Sequence, residues 1–246
     1  ATVAGLSFLL WLIRGESVTN PGLLLFLSLL NSSSFLVATV THIESLKYLP
    51  ATTVYSITRL NLVIVTVFSV IVLGDQLSFR QIIGILCAMG AIPILTRGLD
   101  KGDANEGREP KGIIYLVVCL LASALASISS KYAAMYVSKA AFLTLVYAIA
   151  ALASPVFGHR FRTTDVRSDR KGTFSLGFAI GVLNFGGYLA LLKALSLGPL
   201  SLVASIVSLH FVVAVILSLF IYRERLTTPR VLGFMLTILS IALIAF

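Results

Sequence analysis

Charged side chains are scarce in this sequence: 12% of its 246 residues are Asp, Glu, Lys or Arg, and only ten are acidic. A soluble domain carries about 25%. Half that fraction leaves too little polar surface to coat a globule in water. Cysteine is almost missing too, with Cys87 and Cys119 both inside apolar runs. That excludes a disulfide framework and a cysteine metal set, and a free thiol in such surroundings behaves as a small hydrophobe. The three histidines, His42, His159 and His210, form no H-E-x-x-H pair. A nucleophile elbow and a phosphate-cradling glycine loop are lacking as well. An enzyme is therefore not expected, nor is a catalytic residue, a metal or a cofactor. The alternating pattern of a transmembrane barrel strand is also absent.

What the chain has in quantity is apolar sequence, 58% of residues with a mean hydropathy of +1.00. It arrives in nine stretches: 1–13, 22–46, 51–73, 78–96, 112–130, 138–157, 173–195, 200–222 and 228–246. A helix rising 1.5 Å per residue needs roughly 20 apolar residues to cross the ~30 Å hydrocarbon core. In lipid the backbone must satisfy its own hydrogen bonds, so runs of this length are helices. The expectation is an all-α membrane protein. The first stretch is short for a span and reads as a helix cut by the start of the chain. The formal charge of +9 sits in inter-helix loops, where Lys and Arg collect beside membrane helices. No nucleic-acid partner is expected. The longest loops, 97–111 and 158–172, read as connectors and not as the ordered domain of a receptor or scaffold.

The sequence repeats itself at an offset of 149 residues. Pro50 falls on Pro199, Val54 on Val203, Ser56 on Ser205, Ile57 on Ile206 and Leu60 on Leu209. Val63 meets Val212, Ser69 meets Ser218, Asp75 meets Glu224, Leu77 meets Leu226 and Gly84 meets Gly233. The matched Pro, Gly, Ser and acidic positions are harder to obtain by chance than the aliphatic ones. The second copy holds five spans, and the same offset starts the first copy about 37 residues before Ala1. The expected intact protein has ten helices, nine of them visible here. Residues 1–96 form a first, truncated repeat, 97–111 a linking loop, and 112–246 a second repeat. Five helices per repeat make the two insert in opposite orientations, the architecture of secondary transporters with a solute site near the membrane midplane.

The segment Leu46-Lys47-Tyr48-Leu49-Pro50-Ala51-Thr52, followed by a span and then Leu73-Gly74-Asp75-Gln76-Leu77-Ser78, resembles the EamA-like members of the drug/metabolite transporter superfamily. The second copy echoes it as Leu197-Gly198-Pro199-Leu200-Ser201-Leu202-Val203-Ala204, then Arg223-Glu224-Arg225-Leu226-Thr227 and Gly233. Asp75-Gln76 replaces the usual Glu-Arg of that pattern and Arg223 the usual Gly. The resemblance implies a ten-helix metabolite carrier with a central cavity, working by alternating access in the plasma (inner) membrane of a prokaryote. Its partners are a small-molecule solute and the bilayer, and the chain is a monomer or a homodimer. An amino acid or organic anion is the expected solute. A nucleotide-sugar or triose-phosphate type exchanger of the same superfamily is the alternative, and an intramembrane enzyme the remote one. Loops 47–51, 97–111, 158–172 and 223–230 carry most of the Lys and Arg, against Arg14, Arg80, Lys131, Lys139 and Lys193 on the other side, which places the first set in the cytoplasm. The resemblance implies the reverse, so orientation stays open.

Polar groups inside spans are costly and point to function by default. Arg59 lies ~12 Å into its span, and Thr52, Ser56, Arg59 and Thr66 share one helix face. The second copy repeats this stripe as Ser201, Ser205 and Ser208, and Asn61 is the repeat equivalent of His210. Tyr55, Asn31, Asn184 and Tyr188 complete the candidate cavity residues. Ser32, Ser33 and Ser34 follow Asn31, and four consecutive polar residues cannot share one helix face. Glu44 and His210 are the candidates for coupling, Glu44 being the one acid plausibly inside a span and histidine titrating near neutral pH. Arg59 has a structural reading as well, an ion pair with Glu44. Serines and threonines in spans also bond their own backbone or allow close helix packing.

Overall fold

In a computed structural model the described residues are 2–18, 20–58, 60–74, 78–97, 109–158, 170–208 and 228–245. Apart from turns and short connections these are α-helical, and no strand occurs among them. In chain order the helices are α1 (Thr2–Arg14), α2 (Pro21–Ser45), α3 (Ala51–Thr58), α4 (Asn61–Leu73) and α5 (Phe79–Arg97). They continue as α6 (Glu109–Tyr136), α7 (Lys139–Gly158), α8 (Arg170–Leu197), α9 (Leu200–Ser208) and α10 (Thr228–Ala245). Among the described residues, three helical stretches are long and apolar enough to cross a membrane: Pro21–Ser45, Pro110–Tyr136 and Phe174–Leu197.

Local chemistry explains several helix ends. Pro21 opens α2, where its fixed φ suits the first turn and its missing N–H costs nothing. Gly15 (φ +58°) and Gly74 (φ +72°) adopt the left-handed conformation just past α1 and α4. There the Gly15 N–H returns to the carbonyls of Trp11 at 3.1 Å and Leu12 at 3.3 Å.

Two expectations from the sequence need correction. The run 51–73 is not one continuous helix. It breaks between α3 and α4, where the Leu60 N–H bonds the Ile57 carbonyl at 2.9 Å and the Val63 N–H bonds that of Leu60 at 3.0 Å. These are i to i+3 bonds, the tightened geometry that interrupts an α-helix. The second correction concerns Lys131, assigned by patterning to a loop beyond 112–130. α6 runs on to Tyr136, and Lys131 is a buried residue inside it. Of the expected span 200–222, only the α9 portion falls within the described residues.

The chain divides into two compact units, 1–33 with 129–197, and 34–128 with 198–246. Two of the three boundaries fall inside α2 and α6, and the third just after α8. In the first unit α1 packs on α7 and α8. Gly181 on α8 permits this approach, since a Cβ there would lie 2.6 Å from Thr2 Cβ. Thr144 of α7 donates to Ser7 of α1 at 3.1 Å.

The second unit has an apolar core. Leu49, Val54, Ile57, Ala91 and Leu116 form one cluster, with Leu46, Tyr48, Leu120 and Leu236 packed around it. Leu62 and Ile241 form another, against Tyr55, Ile85, Ala204, Phe234 and Ile238. α5 lies along α10. At the start of α6, Gly112 leaves room for the Tyr48–Leu49 turn, 2.8 Å from where its Cβ would stand.

Candidate functional site

The most connected polar cluster lies in the first unit, among side chains from α2, α6 and α8. Asn31 of α2 is 2% exposed. Its Nδ2 donates to Ser129 Oγ and to Ser130 Oγ of α6, both at 2.9 Å. Tyr188 of α8 donates its hydroxyl proton to Asn31 Oδ1 at 3.1 Å. Ser130 Oγ lies 2.8 Å from the same tyrosine oxygen. A phenol has one proton to give. With that proton on the Asn31 carbonyl, the distances fit a closed ring: Asn31 amide to Ser130, Ser130 to Tyr188, Tyr188 back to Asn31. In such a ring each hydroxyl donates once and accepts once, and each bond polarises the next.

Two further contacts fix the ring's setting. Tyr147 of α7 meets the Tyr188 ring edge-on, with centroids 6.0 Å apart, a favoured aromatic geometry. Ser32, next to Asn31, donates to the Val146 carbonyl at 3.1 Å. Asn31 stands ten residues past Pro21, ~15 Å along its helix. That is far from the aqueous ends of a 25-residue helix. One residue beyond the serine pair, Lys131 Nζ donates to the Leu195 carbonyl at 2.7 Å. That carbonyl lies in the last turn of α8, where backbone acceptors lack helical partners and a cation suits the negative end of the dipole.

The sequence-derived candidates distribute unevenly over this geometry. Asn31 and Tyr188 come together in one ring. Asn184, one turn before Tyr188, is exposed and donates to its own helix at the Ile180 carbonyl, 3.0 Å away. Tyr55 belongs to the second unit, half-buried, with its ring 5.1 Å from that of His42. Asn61 is the first residue of α4 and half-buried. Glu44 is buried and pairs with Lys47 at 3.1 Å, one turn along the chain. Thr66 is fully buried, and its hydroxyl has no hydrogen-bond partner among the described residues. Ser56 and Ser208 lie in α3 and α9, but their side chains are outside the described set, as are Arg59 and His210 altogether.

Sequence reasoning missed Ser129, Ser130, Lys131 and Tyr147. The expected span 112–130 ends on Ser129 and Ser130 and leaves Lys131 in the following loop. Tyr147 carries no signal at sequence level that separates it from any packing aromatic.

The model of the EamA-like transporter family matches residues 1–97 and 110–246. The chain belongs to this family. EamA-like proteins are membrane transporters of the drug/metabolite superfamily, so the chain is an integral membrane protein and its long apolar helices cross a bilayer. These helices carry exposed large apolar side chains, among them Phe26, Phe35, Leu121, Leu176 and Leu183. A solved structure titled "Crystal structure of protein" is similar in fold, with a TM-score of 0.63 and 16% sequence identity. The match covers 98% of this chain and 84% of that one. No curated relative matches the sequence. In this EamA-like protein the hydrogen-bonded ring draws on α2, α6 and α8, the helices that hold the three long apolar stretches.

Proposed function

We propose that this EamA-like protein is a secondary transporter that moves a small metabolite across a prokaryotic plasma membrane by alternating access. The observation that carries the reading is the Asn31–Ser130–Tyr188 ring, an amide and hydroxyls gathered on three spanning helices. A site that must empty and refill benefits from such groups. They satisfy one another when no solute is bound, which avoids the cost of unpaired buried polar atoms. They turn the same donors and acceptors to a solute when one enters. Amide and hydroxyl groups recognise the ammonium, carboxylate and hydroxyl groups of an amino acid or a small organic anion. Tyr147 and Tyr188 add an aromatic wall.

The two-repeat organisation belongs to the same proposal. At the 149-residue offset, the first residue of α3 (Ala51) corresponds to that of α9 (Leu200), each directly after a proline. That coincidence and the sequence matches at the same offset support a duplication of five-helix units, inverted relative to each other, with ten helices in the intact protein. Within the second unit, Arg59, Ser56, Asn61, Ser208 and His210 are proposed as solute-facing polar groups in their own right. The guanidinium of Arg59 suits a carboxylate through paired donors.

A thermal-shift panel on the purified protein tests the reading. A true solute at about 100 times its Kd stabilises the folded state by ~2.7 kcal/mol. The expected result is a raised Tm for one chemical class, with the shift for anionic members falling away in Arg59→Ala. A panel of amino acids, organic anions, amines and nucleotide-linked sugars that leaves the Tm unmoved would count against a solute site.

A further inference from the structure

A second polar contact in the first unit lies apart from the ring and at the helix ends. Gly15 turns the chain after α1, and Glu16 is then held from several sides. Trp11 Nε1 donates to the Glu16 backbone carbonyl at 2.7 Å. Arg14 Nη1 lies 3.5 Å from carboxylate oxygen Oε1. The other oxygen, Oε2, accepts the hydroxyl proton of Ser138. Ser138 precedes α7 and caps it, its Oγ accepting the Ala141 N–H at 3.2 Å. The carboxylate therefore sits at the N-terminus of α7, where the helix dipole favours an anion.

Like the ring, this contact ties residues of 1–33 to residues of 129–197. Glu16 is five residues before Pro21, where α2 begins, and Asn31 lies ten residues past Pro21, ~15 Å along that helix. The Glu16 side chain is 30% exposed, so water can solvate it as soon as the contact parts. A contact that seals when made and costs little to break is what a gate at a membrane surface requires.

Resting on the transport reading above, we propose that Glu16 and Ser138 form a gate latch, closing this end of the first unit over the Asn31–Tyr188 ring and parting once in each transport cycle. Gly15–Glu16 and the start of α7 are the moving parts, and their parting opens the way toward the ring.

The test replaces both residues in the full chain, Glu16→Cys with Ser138→Cys, with Cys87 and Cys119 changed to Ser. A short reducible bis-thiosulfonate then bridges the pair in proteoliposomes. Bridging is expected to lower solute flux about ten-fold or more, and reduction to restore it, because gating motions are obligatory steps of turnover. Each single-cysteine variant should keep its flux under the same reagent. Full flux after complete bridging overturns the latch and leaves the transport reading intact. Wild-type protein with no saturable flux for any solute removes the transport reading, and the latch with it. Should the double variant not fold, Glu16→Ala provides a second readout. A membrane-impermeant thiol reagent should label Ser130→Cys several-fold faster in the Glu16→Ala background, and equal rates would overturn the latch.

Discussion

Asn31→Leu is expected to reduce solute flux about ten-fold or more while lowering stability by ~2 kcal/mol. The stability figure follows from three bonds made by one amide, to Ser129, Ser130 and from Tyr188. Inter-helix hydrogen bonds in membranes average about 0.6 kcal/mol each and reach about 1.7. Leucine keeps the branched shape and the number of side-chain heavy atoms, so the loss measures polar pairing and not a cavity. A double-mutant cycle with Tyr188→Phe sharpens the claim. If the ring is one network, the double variant loses less than the sum of the single losses, with a coupling of about 0.5 to 1.5 kcal/mol. Strict additivity, measured by unfolding in detergent, would show Asn31 and Tyr188 acting separately.

A purely structural effect of similar size is expected at two glycines. Gly112→Ala would put a methyl 2.8 Å from Leu49 Cγ and 2.9 Å from Tyr48 Cβ. Leu49 is 4% exposed and belongs to an apolar cluster, so neither neighbour can step aside freely. Gly181→Ala meets Thr2 Cβ at 2.6 Å and would push α1 off α8. Each should lower stability by about 1–3 kcal/mol, the usual cost of forcing a methyl into a packed contact. Gly177 and Gly186 lie on the same helix as Gly181 with nothing within 4 Å of their would-be Cβ atoms. Alanine at either should be neutral or slightly stabilising. The comparison of unfolding midpoints separates tight packing from helix propensity. Equal effects at all four positions would contradict the packing account.

The helical character was legible in the sequence because a bilayer admits few alternatives: an apolar run of twenty residues must satisfy its backbone internally. Family membership was legible through the Pro50 and Pro199 segments, and the match over 1–97 and 110–246 agrees with it. Helix ends were less so. Lys131 read as a loop residue because a cation in hydrocarbon is costly, yet its charge is met by the Leu195 carbonyl 64 positions away in sequence. The break after Thr58 left no trace either. Arg59-Leu60-Asn61 contains neither proline nor glycine, and hydrophobic period alone cannot register a switch from i+4 to i+3 bonding.

The candidate site was half legible. Asn31 and Tyr188 stood out as polar groups deep in apolar runs, and packing brings them into one ring. Asn184 stood out for the same reason, but its amide is spent on its own helix. Serine and asparagine in spans have both outcomes open to them, and only tertiary packing chooses. Ser129 and Ser130 became visible as partners only once α6 was known to continue past them.

The central claim, a solute carrier whose site includes the ring, is tested most directly by solute uptake into proteoliposomes containing wild-type protein or Tyr188→Phe. The account predicts saturable uptake of at least one small metabolite by the wild type. Removing one hydroxyl should then raise KM about 2- to 10-fold, the worth of a single neutral hydrogen bond. Uptake that never saturates, or a Tyr188→Phe protein whose KM and kcat match the wild type, would contradict it.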